Sequence, residues 1–129
     1  KIRALIVDDE PLAREGVRLL LERDPDIEVV GEAADGNAAL RSIRALRPQV
    51  VFLDIQMPGL DGIQLIDRLE GDAPPVVVFV TAHSEHALTA FDLEAVDYLT
   101  KPVKRDRLFA ALQRAARRAP RICRKHSAR

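Results

Sequence analysis

Apolar residues form five short runs that predict β-strands. The runs cover residues 2–7, 27–30, 50–53, 76–80 and 98–99. The first, third and fourth lack the apolar–polar alternation of a strand with one exposed face, so we expect them to be buried on both faces. The second run includes Glu28 and the fifth is short with polar flanks, which indicates the two edges of a sheet.

Segments with helical spacing of apolar residues separate these runs. They cover residues 11–23, 37–47, 61–70, 84–92 and 104–118. Leu12, Leu19 and Leu20 are the apolar positions of the first segment, and Pro11 suits a first helical position. Ser84 suits the cap of the fourth. Strands and helices therefore alternate five times, which predicts an α/β domain with a parallel sheet.

Composition narrows the classes of protein. A chain of 129 residues with 47% hydrophobic residues suits one domain with a real core. Its formal net charge of zero argues against the whole chain binding nucleic acid or membranes electrostatically. No apolar stretch approaches the roughly 18–20 residues of a membrane span. The single cysteine, Cys123, cannot form an internal disulfide, which fits a reducing cytosol and predicts a cytoplasmic protein.

The last ten residues differ from the rest. The segment "PRICRKHSAR" at 120–129 has five basic residues, no acidic residue and no helical period. We interpret residues 1–119 as the folded domain and residues 120–129 as a basic linker or tail.

Polar residues follow the predicted strands where each strand ends. They are Asp8, Asp9 and Glu10 after the first strand, Asp54 after the third, Thr81 after the fourth and Lys101 after the fifth. Ligands of open parallel sheets bind beyond these ends, where the strand order reverses. Neighbouring carboxylates there require a cation, and Mg²⁺ accepts carboxylates, water and phosphate as ligands. Such a site suits phosphoryl transfer, with Asp54 as a nucleophile that forms an aspartyl phosphate.

Four blocks carry a resemblance to a known family. They are "VDDEP" at 7–11, "FLDIQMPGLDG" at 52–62, "VFVTA" at 78–82 and "DYLTKP" at 97–102. In this order and spacing, the sequence resembles the receiver domain of bacterial two-component response regulators over residues 2–118. The resemblance implies a doubly wound, flavodoxin-like sheet of five parallel strands in the order 2-1-3-4-5.

The resemblance also implies a metal site. Asp54 is then the phosphoacceptor. Mg²⁺, or Mn²⁺ as its substitute, is expected to bind Asp9, Asp54 and the main-chain carbonyl of Gln56 directly, and Asp8 through water. Gln56 and His83 are positions from which side chains modulate the lifetime of the phosphoryl group in this family.

Further roles implied by the resemblance concern the phosphoryl group and the switch. Lys101 is expected to contact a phosphoryl oxygen, and the Thr81 hydroxyl to bond to it. Thr81 and Tyr98 are expected to form the conformational switch. The bond between Lys101 and Pro102 is expected to be cis, which lets the lysine point back into the site.

The expected partner is a sensor histidine kinase. Phosphorylation is expected to promote a homodimer through residues 84–118, whose charges could pair across a two-fold axis. These charges are Asp92, Glu94 and Asp97 near Lys104, Arg105 and Arg114. The segment "TAHSEHALTAFDLEAVDYLTKP" resembles receivers attached to LytTR-type DNA-binding domains, so DNA would be bound only through an effector domain outside this chain. The domain would catalyse only its own phosphorylation and slow dephosphorylation.

Other interpretations remain open on the sequence. One is a stand-alone phosphorelay or protein-interaction receiver without a DNA-binding output. Another is a phosphatase that uses an aspartyl nucleophile and Mg²⁺, although the D-x-D-x-T spacing of such enzymes does not follow the first strand.

Overall fold

A computed structural model of the protein describes residues 1–55, 75–82 and 97–118. The predicted helices at 61–70 and 84–92, with the predicted cap Ser84, lie outside these ranges, as do the predicted site residues Gln56 and His83. None of the helices in the described ranges is long and apolar enough to cross a membrane.

The five strands form a single parallel sheet. They are β1 (Ile2–Val7), β2 (Ile27–Ala33), β3 (Val50–Leu53), β4 (Val76–Thr81) and β5 (Asp97–Thr100). Their order is β2-β1-β3-β4-β5, and every neighbouring pair is parallel. The predicted fold class, strand order and edge strands are therefore confirmed. The chain order reverses between β1 and β3, which is where ligands of such sheets bind.

Three described helices cover the two faces of the sheet. They are α1 (Pro11–Leu21), α2 (Gly36–Leu46) and α3 (Arg105–Arg118). One apolar cluster joins the sheet to α2, and a second joins it to α1 and α3. Successive residues of β3 alternate between them, with Val51 and Leu53 in the first and Val50 and Phe52 in the second. Burial on both faces therefore explains why this strand is apolar throughout.

Two of the three leucines that give α1 its helical spacing are exposed. Leu12 is 81% exposed and Leu19 is 51% exposed. The buried residues of α1 are Val17 and Leu21, which lie four apart and therefore share the face towards the sheet. Leu20 is partly buried beside them. The buried stripe of α1 is therefore marked by Val17 rather than by Leu12.

The ends of α2 are held by polar contacts. The Asp35 carboxylate caps the start by accepting from the Ala38 backbone N–H at 2.8 Å. The other end closes on Arg47, which has the left-handed φ of 50°. The Arg3 guanidinium reaches from β1 and donates to the backbone carbonyls of Leu46 and Arg47. An arginine on the neighbouring strand therefore binds carbonyls that the helix leaves unpaired.

A buried carboxylate joins β5 to α3. Asp97 accepts hydrogen bonds from the Tyr98 backbone N–H at 2.8 Å, Arg107 at 3.1 Å and Arg114 at 3.0 Å. Its side chain is 4% exposed, whereas those of the two arginines are about half exposed. The prediction that Asp97 belongs to an exposed set of charges pairing between subunits was therefore wrong. The two arginines of its own chain already neutralise it.

We expect replacement of the arginines to cost more unfolding free energy than replacement of Asp97. Asp97→Asn frees two arginines that water can solvate, so the expected loss is about 1–2 kcal/mol of unfolding free energy. The double variant Arg107→Met, Arg114→Met leaves a buried carboxylate without either cation, so the expected loss is about 3–5 kcal/mol. Urea unfolding at neutral pH measures both, with Arg117→Met, an exposed arginine of the same helix, as control. Equal losses for the two variants would contradict this explanation.

Candidate functional site

Two aspartates lie side by side at the carboxyl edge of the sheet. Val7 and Leu53, the last residues of β1 and β3, are paired in register. Asp8 and Asp54 follow them directly, and the Asp54 backbone N–H donates to the Val7 carbonyl at 2.9 Å. Both aspartates are buried. The pairing of β1 with β3 therefore positions both side chains next to each other.

The next two strands bring Thr81 and Lys101 to the same edge. Thr81 ends β4 and is fully buried, and it pairs in register with Thr100 of β5. The Lys101 backbone N–H donates to the Thr81 carbonyl at 2.9 Å, so β5 stays bound to β4 as far as the lysine. The following bond, between Lys101 and Pro102, is cis, in agreement with the prediction.

The Lys101 ammonium contacts three carboxylates. Its Nζ lies 2.7 Å from Asp8 Oδ2, 2.9 Å from Glu10 Oε1 and 3.2 Å from Asp54 Oδ2. β5 lies two strands away from β3, which is about 10 Å at the usual strand spacing. The lysine side chain therefore crosses the end of β4 to reach the aspartates, and it is only 15% exposed.

The electrostatics of Lys101 follow from these contacts. Burial alone would lower the pKa of Lys101. Its hydrogen bonds to Asp8 and Glu10 and the charges of Asp54 and Asp8 raise the pKa by more than burial lowers it, so the net pKa lies above the ordinary value. The hydrogen bond from Lys101 and its positive charge hold the pKa of the Glu10 carboxyl below the ordinary value. The ammonium is therefore charged throughout the neutral pH range.

The carboxylates form a group with the chemistry of a metal site. One oxygen each from Asp8, Glu10 and Asp54 lies within 4.8 Å of the others. The other Asp8 oxygen accepts from the Glu10 backbone N–H at 2.9 Å, and Arg14 donates to the Asp8 carbonyl at 2.6 Å, so Asp8 is held firmly. Hard divalent cations prefer such oxygen ligands. The donor set therefore suits Mg²⁺ or a similar ion.

The structure and the sequence place different residues in this group. Asp9, expected as a direct ligand, is exposed and does not belong to the described group of three. Glu10 does belong to it, although no separate role was predicted for it. Its position two residues after Asp8, just before a helix that begins with Pro11, was the available signal. Tyr98, expected to be part of the switch, is half-buried and packs against the core beside Phe79.

We expect removal of the lysine charge to make the fold depend on divalent cations. In Lys101→Met, Asp8 and Asp54 remain buried without their cation, so the expected loss is about 3 kcal/mol of unfolding free energy in EDTA. Millimolar Mg²⁺ should restore more stability to this variant than it adds to the parent, because it neutralises the same oxygens and binds only the folded state. Urea unfolding with and without Mg²⁺ measures this.

The exposed Lys104→Met is the matched control for that experiment, since it removes the same charge outside the carboxylate group. It should respond to Mg²⁺ as the parent does. If Lys101→Met gained no more stability from Mg²⁺ than the control, the lysine and the cation would not share a site.

Comparisons with known proteins agree with this geometry. The family described as the response regulator receiver domain matches residues 4–113. The transcriptional regulatory protein BtsR of Salmonella typhi is 49% identical over 113 residues, which are 88% of this chain and 47% of the relative. The positive alginate biosynthesis regulatory protein of Pseudomonas aeruginosa is 51% identical over 118 residues, which are 90% of this chain and 48% of the relative. This chain therefore spans about half the length of these curated relatives.

Solved structures give the same result. The response regulatory domain of protein mrkE from Klebsiella pneumoniae superposes with a TM-score of 0.83 at 35% identity, covering 93% of this chain and 99% of that one. The strand order, the carboxylates at the sheet edge and the family match over residues 4–113 lead to one conclusion. The chain belongs to the response regulator receiver domains.

Proposed function

We propose that this chain receives a phosphoryl group on Asp54 from a sensor histidine kinase and switches conformation to control transcription. The observation that carries this proposal is the placement of Asp54, whose Oδ2 lies 3.2 Å from Lys101 Nζ beside two further carboxylates. Asp54 follows a strand that is buried on both faces, so its carboxylate is held in place. A fixed nucleophile next to a fixed positive charge suits phosphoryl transfer.

In the proposed reaction, an Asp54 oxygen attacks phosphorus, and the bond from phosphorus to the donor's imidazole nitrogen breaks. The transferred group carries negative charge on its peripheral oxygens. The Lys101 ammonium is positioned to neutralise one of these oxygens. Thr81, at the buried end of the neighbouring strand β4, supplies a hydroxyl on the same edge. The chain's own residues would thus bind and orient the group.

A divalent cation completes the proposed site by neutralising the charge of the carboxylates and the incoming phosphoryl group. The spacing of the carboxylate oxygens supports Asp8 and Asp54 as buried residues beside it, with Glu10 at the exposed rim of the group. The family resemblance instead assigns direct contacts to Asp9, Asp54 and the Gln56 carbonyl, with Asp8 acting through water. Both assignments include Asp54, so the cation would lie beside the nucleophile in either one.

Acetyl phosphate with Mg²⁺ should add one phosphoryl group to the protein, because a small donor can replace the kinase. Intact-mass spectrometry measures the addition, and hydroxylamine should remove it as expected for an acyl phosphate. EDTA should prevent labelling, since the carboxylates repel the donor without a cation. Asp54→Asn should remain unlabelled, whereas the exposed control Asp106→Asn should be labelled as the parent is. Labelling of Asp54→Asn to the same extent would refute the proposed nucleophile.

The proposed switch uses Thr81 and Tyr98. Movement of the Thr81 hydroxyl towards the phosphoryl group would vacate space beside β4. Tyr98 lies on β5 and is paired in register with Phe79 of β4, so its ring could enter that space. The phosphoryl group would need to shift a pre-existing equilibrium by only about 1–3 kcal/mol. Because β5 is bonded to α3 through Asp97, the change would reach the surface formed by residues 84–118.

This surface is the proposed homodimer interface of the phosphorylated form. Its described part is mostly basic, since Lys104, Arg105 and Arg107 are exposed and Asp97 is buried. Opposite charges for pairing across a two-fold axis would therefore come from the exposed Asp106 and from Asp92 and Glu94, which lie outside the described residues. Exposed pairs contribute only about 0–1 kcal/mol each, so apolar contacts would supply most of the affinity.

Sedimentation velocity with Mg²⁺ and beryllofluoride, a phosphoryl mimic, tests the dimer. We expect the activated domain to dimerise and the untreated domain to remain monomeric. A monomer at hundreds of micromolar in the presence of the mimic, roughly the range of a −5 kcal/mol association, would exclude this dimer for the isolated domain. Dimerisation to the same extent without the mimic would show that phosphorylation does not control it.

The transcriptional output is proposed from the relatives. Their names describe regulation of transcription and of alginate biosynthesis, and this chain spans about half their length. We therefore assign residues 1–119 to the receiver and residues 120–129 to a basic linker that leads to an effector domain. The resemblance of residues 81–102 to receivers of LytTR-type regulators supports a DNA-binding effector of that class.

A further inference from the structure

Lys101 has as many carboxylate partners as it has N–H groups. Its ammonium carries three hydrogens, and one oxygen each from Asp8, Glu10 and Asp54 lies 2.7, 2.9 and 3.2 Å from Nζ. A phosphoryl oxygen that binds Lys101 must therefore displace one of these contacts. The three carboxylates differ in how easily they can leave.

Asp8 and Asp54 are held in place. Asp8 is buried, and its second oxygen accepts the Glu10 backbone N–H at 2.9 Å. Asp54 is buried and would itself carry the phosphoryl group. Moving Asp8 away from Lys101 would leave its charge in a buried position without a cation, which is unfavourable. Phosphorylation removes the carboxylate charge of Asp54, but the residue stays fixed at the end of a buried strand and cannot move aside.

Glu10 is held only loosely. Its side chain is 65% exposed, and within the described part of the chain it makes no capping bond at the start of α1. Its carboxylate follows two methylene groups, so the side chain can rotate into water, where solvation replaces the contact with Lys101. A surface contact of this kind is weak and reversible.

We propose that Glu10 occupies the position on Lys101 that a phosphoryl oxygen takes, and that it competes with the phosphoryl group for this lysine. The inference rests on the proposed function of Lys101 and adds a residue to it. Glu10 then stabilises the unphosphorylated form and has already left Lys101 once the aspartyl phosphate exists. It acts as a positioning residue that opposes activation, and no bond to it forms or breaks.

Glu10→Gln should therefore favour the activated form. It retains the size of the side chain and removes the charge that holds Lys101. Beryllofluoride should bind about two- to five-fold more tightly than to the parent, the range expected for an exposed ion pair. Labelling by acetyl phosphate should accelerate by a similar factor, whereas hydrolysis of the aspartyl phosphate should keep the parent's rate.

Two further variants separate competition for Lys101 from simple repulsion. Glu10→Asp keeps the negative charge but is one methylene shorter, so its carboxylate loses the 2.9 Å contact. Competition predicts that it behaves as Glu10→Gln does. Glu22→Gln removes the same charge at the other end of α1, about 18 Å away along the helix, and should behave as the parent does.

Beryllofluoride titrations followed by ¹H–¹⁵N NMR at saturating Mg²⁺ are the test, with urea unfolding to confirm that each variant is folded. Tighter binding in both Glu10 variants but not in Glu22→Gln supports the inference. Tighter binding in Glu10→Gln alone would indicate general repulsion and overturn it. So would unchanged or weaker binding in Glu10→Gln, or hydrolysis accelerated as much as labelling. Failure of the parent to bind the mimic would instead refute the proposed function, and this inference with it.

Discussion

The arrangement of carboxylates at the carboxyl edge of the sheet depends on the ion pairs that Lys101 makes with them. The pairing of β1 with β3 forces Asp8 and Asp54 together and buries both. Two buried carboxylates whose oxygens lie within 4.8 Å of each other repel strongly unless a positive charge lies next to both. The lysine supplies that charge from β5, at the far edge of the sheet, and the bond from its backbone to Thr81 fixes its starting point.

The rest of the fold supplies the rigidity that this arrangement needs. β3 is buried on both faces, because α2 covers one face and α1 and α3 cover the other. A nucleophile after such a strand cannot relax away from its neighbours without disturbing two apolar clusters. The site therefore combines mutually repelling charges with a scaffold that prevents their separation, and a cation is the remaining way to reduce the repulsion. Mobile charges at the exposed rim, such as Glu10, are where the balance can change at small energetic expense.

Different parts of the structure were predictable to different extents. Strand positions followed from the apolar runs, because the core of the sheet is specified by apolar pattern, whereas strand order followed from the family blocks. The predicted strand at residues 27–30 was too short, since Gly31 and Glu32 look like turn residues but continue the pairing of β2 with β1. The leucines of α1 predicted a helix but not its buried face, since residue type alone does not show which side of a helix meets the sheet.

Side-chain partners were the least predictable part of the site. The sequence places Lys101 and the aspartates at one edge. The contact between Glu10 and Lys101, however, depends on the rotamer of Glu10 and on the turn after β1. Likewise, Asp97 reads as one of several surface charges, and only its burial beneath two arginines of α3 shows that it is structural. Such choices are made by three-dimensional packing and leave no periodic signal in the chain.

The two arginines that bind Asp97 have a mechanical consequence. Arg107 and Arg114 are seven residues apart, which is about two helical turns, so they project from the same side of α3. Two ion pairs along one side of the helix prevent α3 from rotating about its own axis, although they still allow the helix to tilt. A movement of β5 would therefore turn α3 as one rigid body. The rotational orientation of α3 as far as Arg118 would stay fixed relative to the sheet.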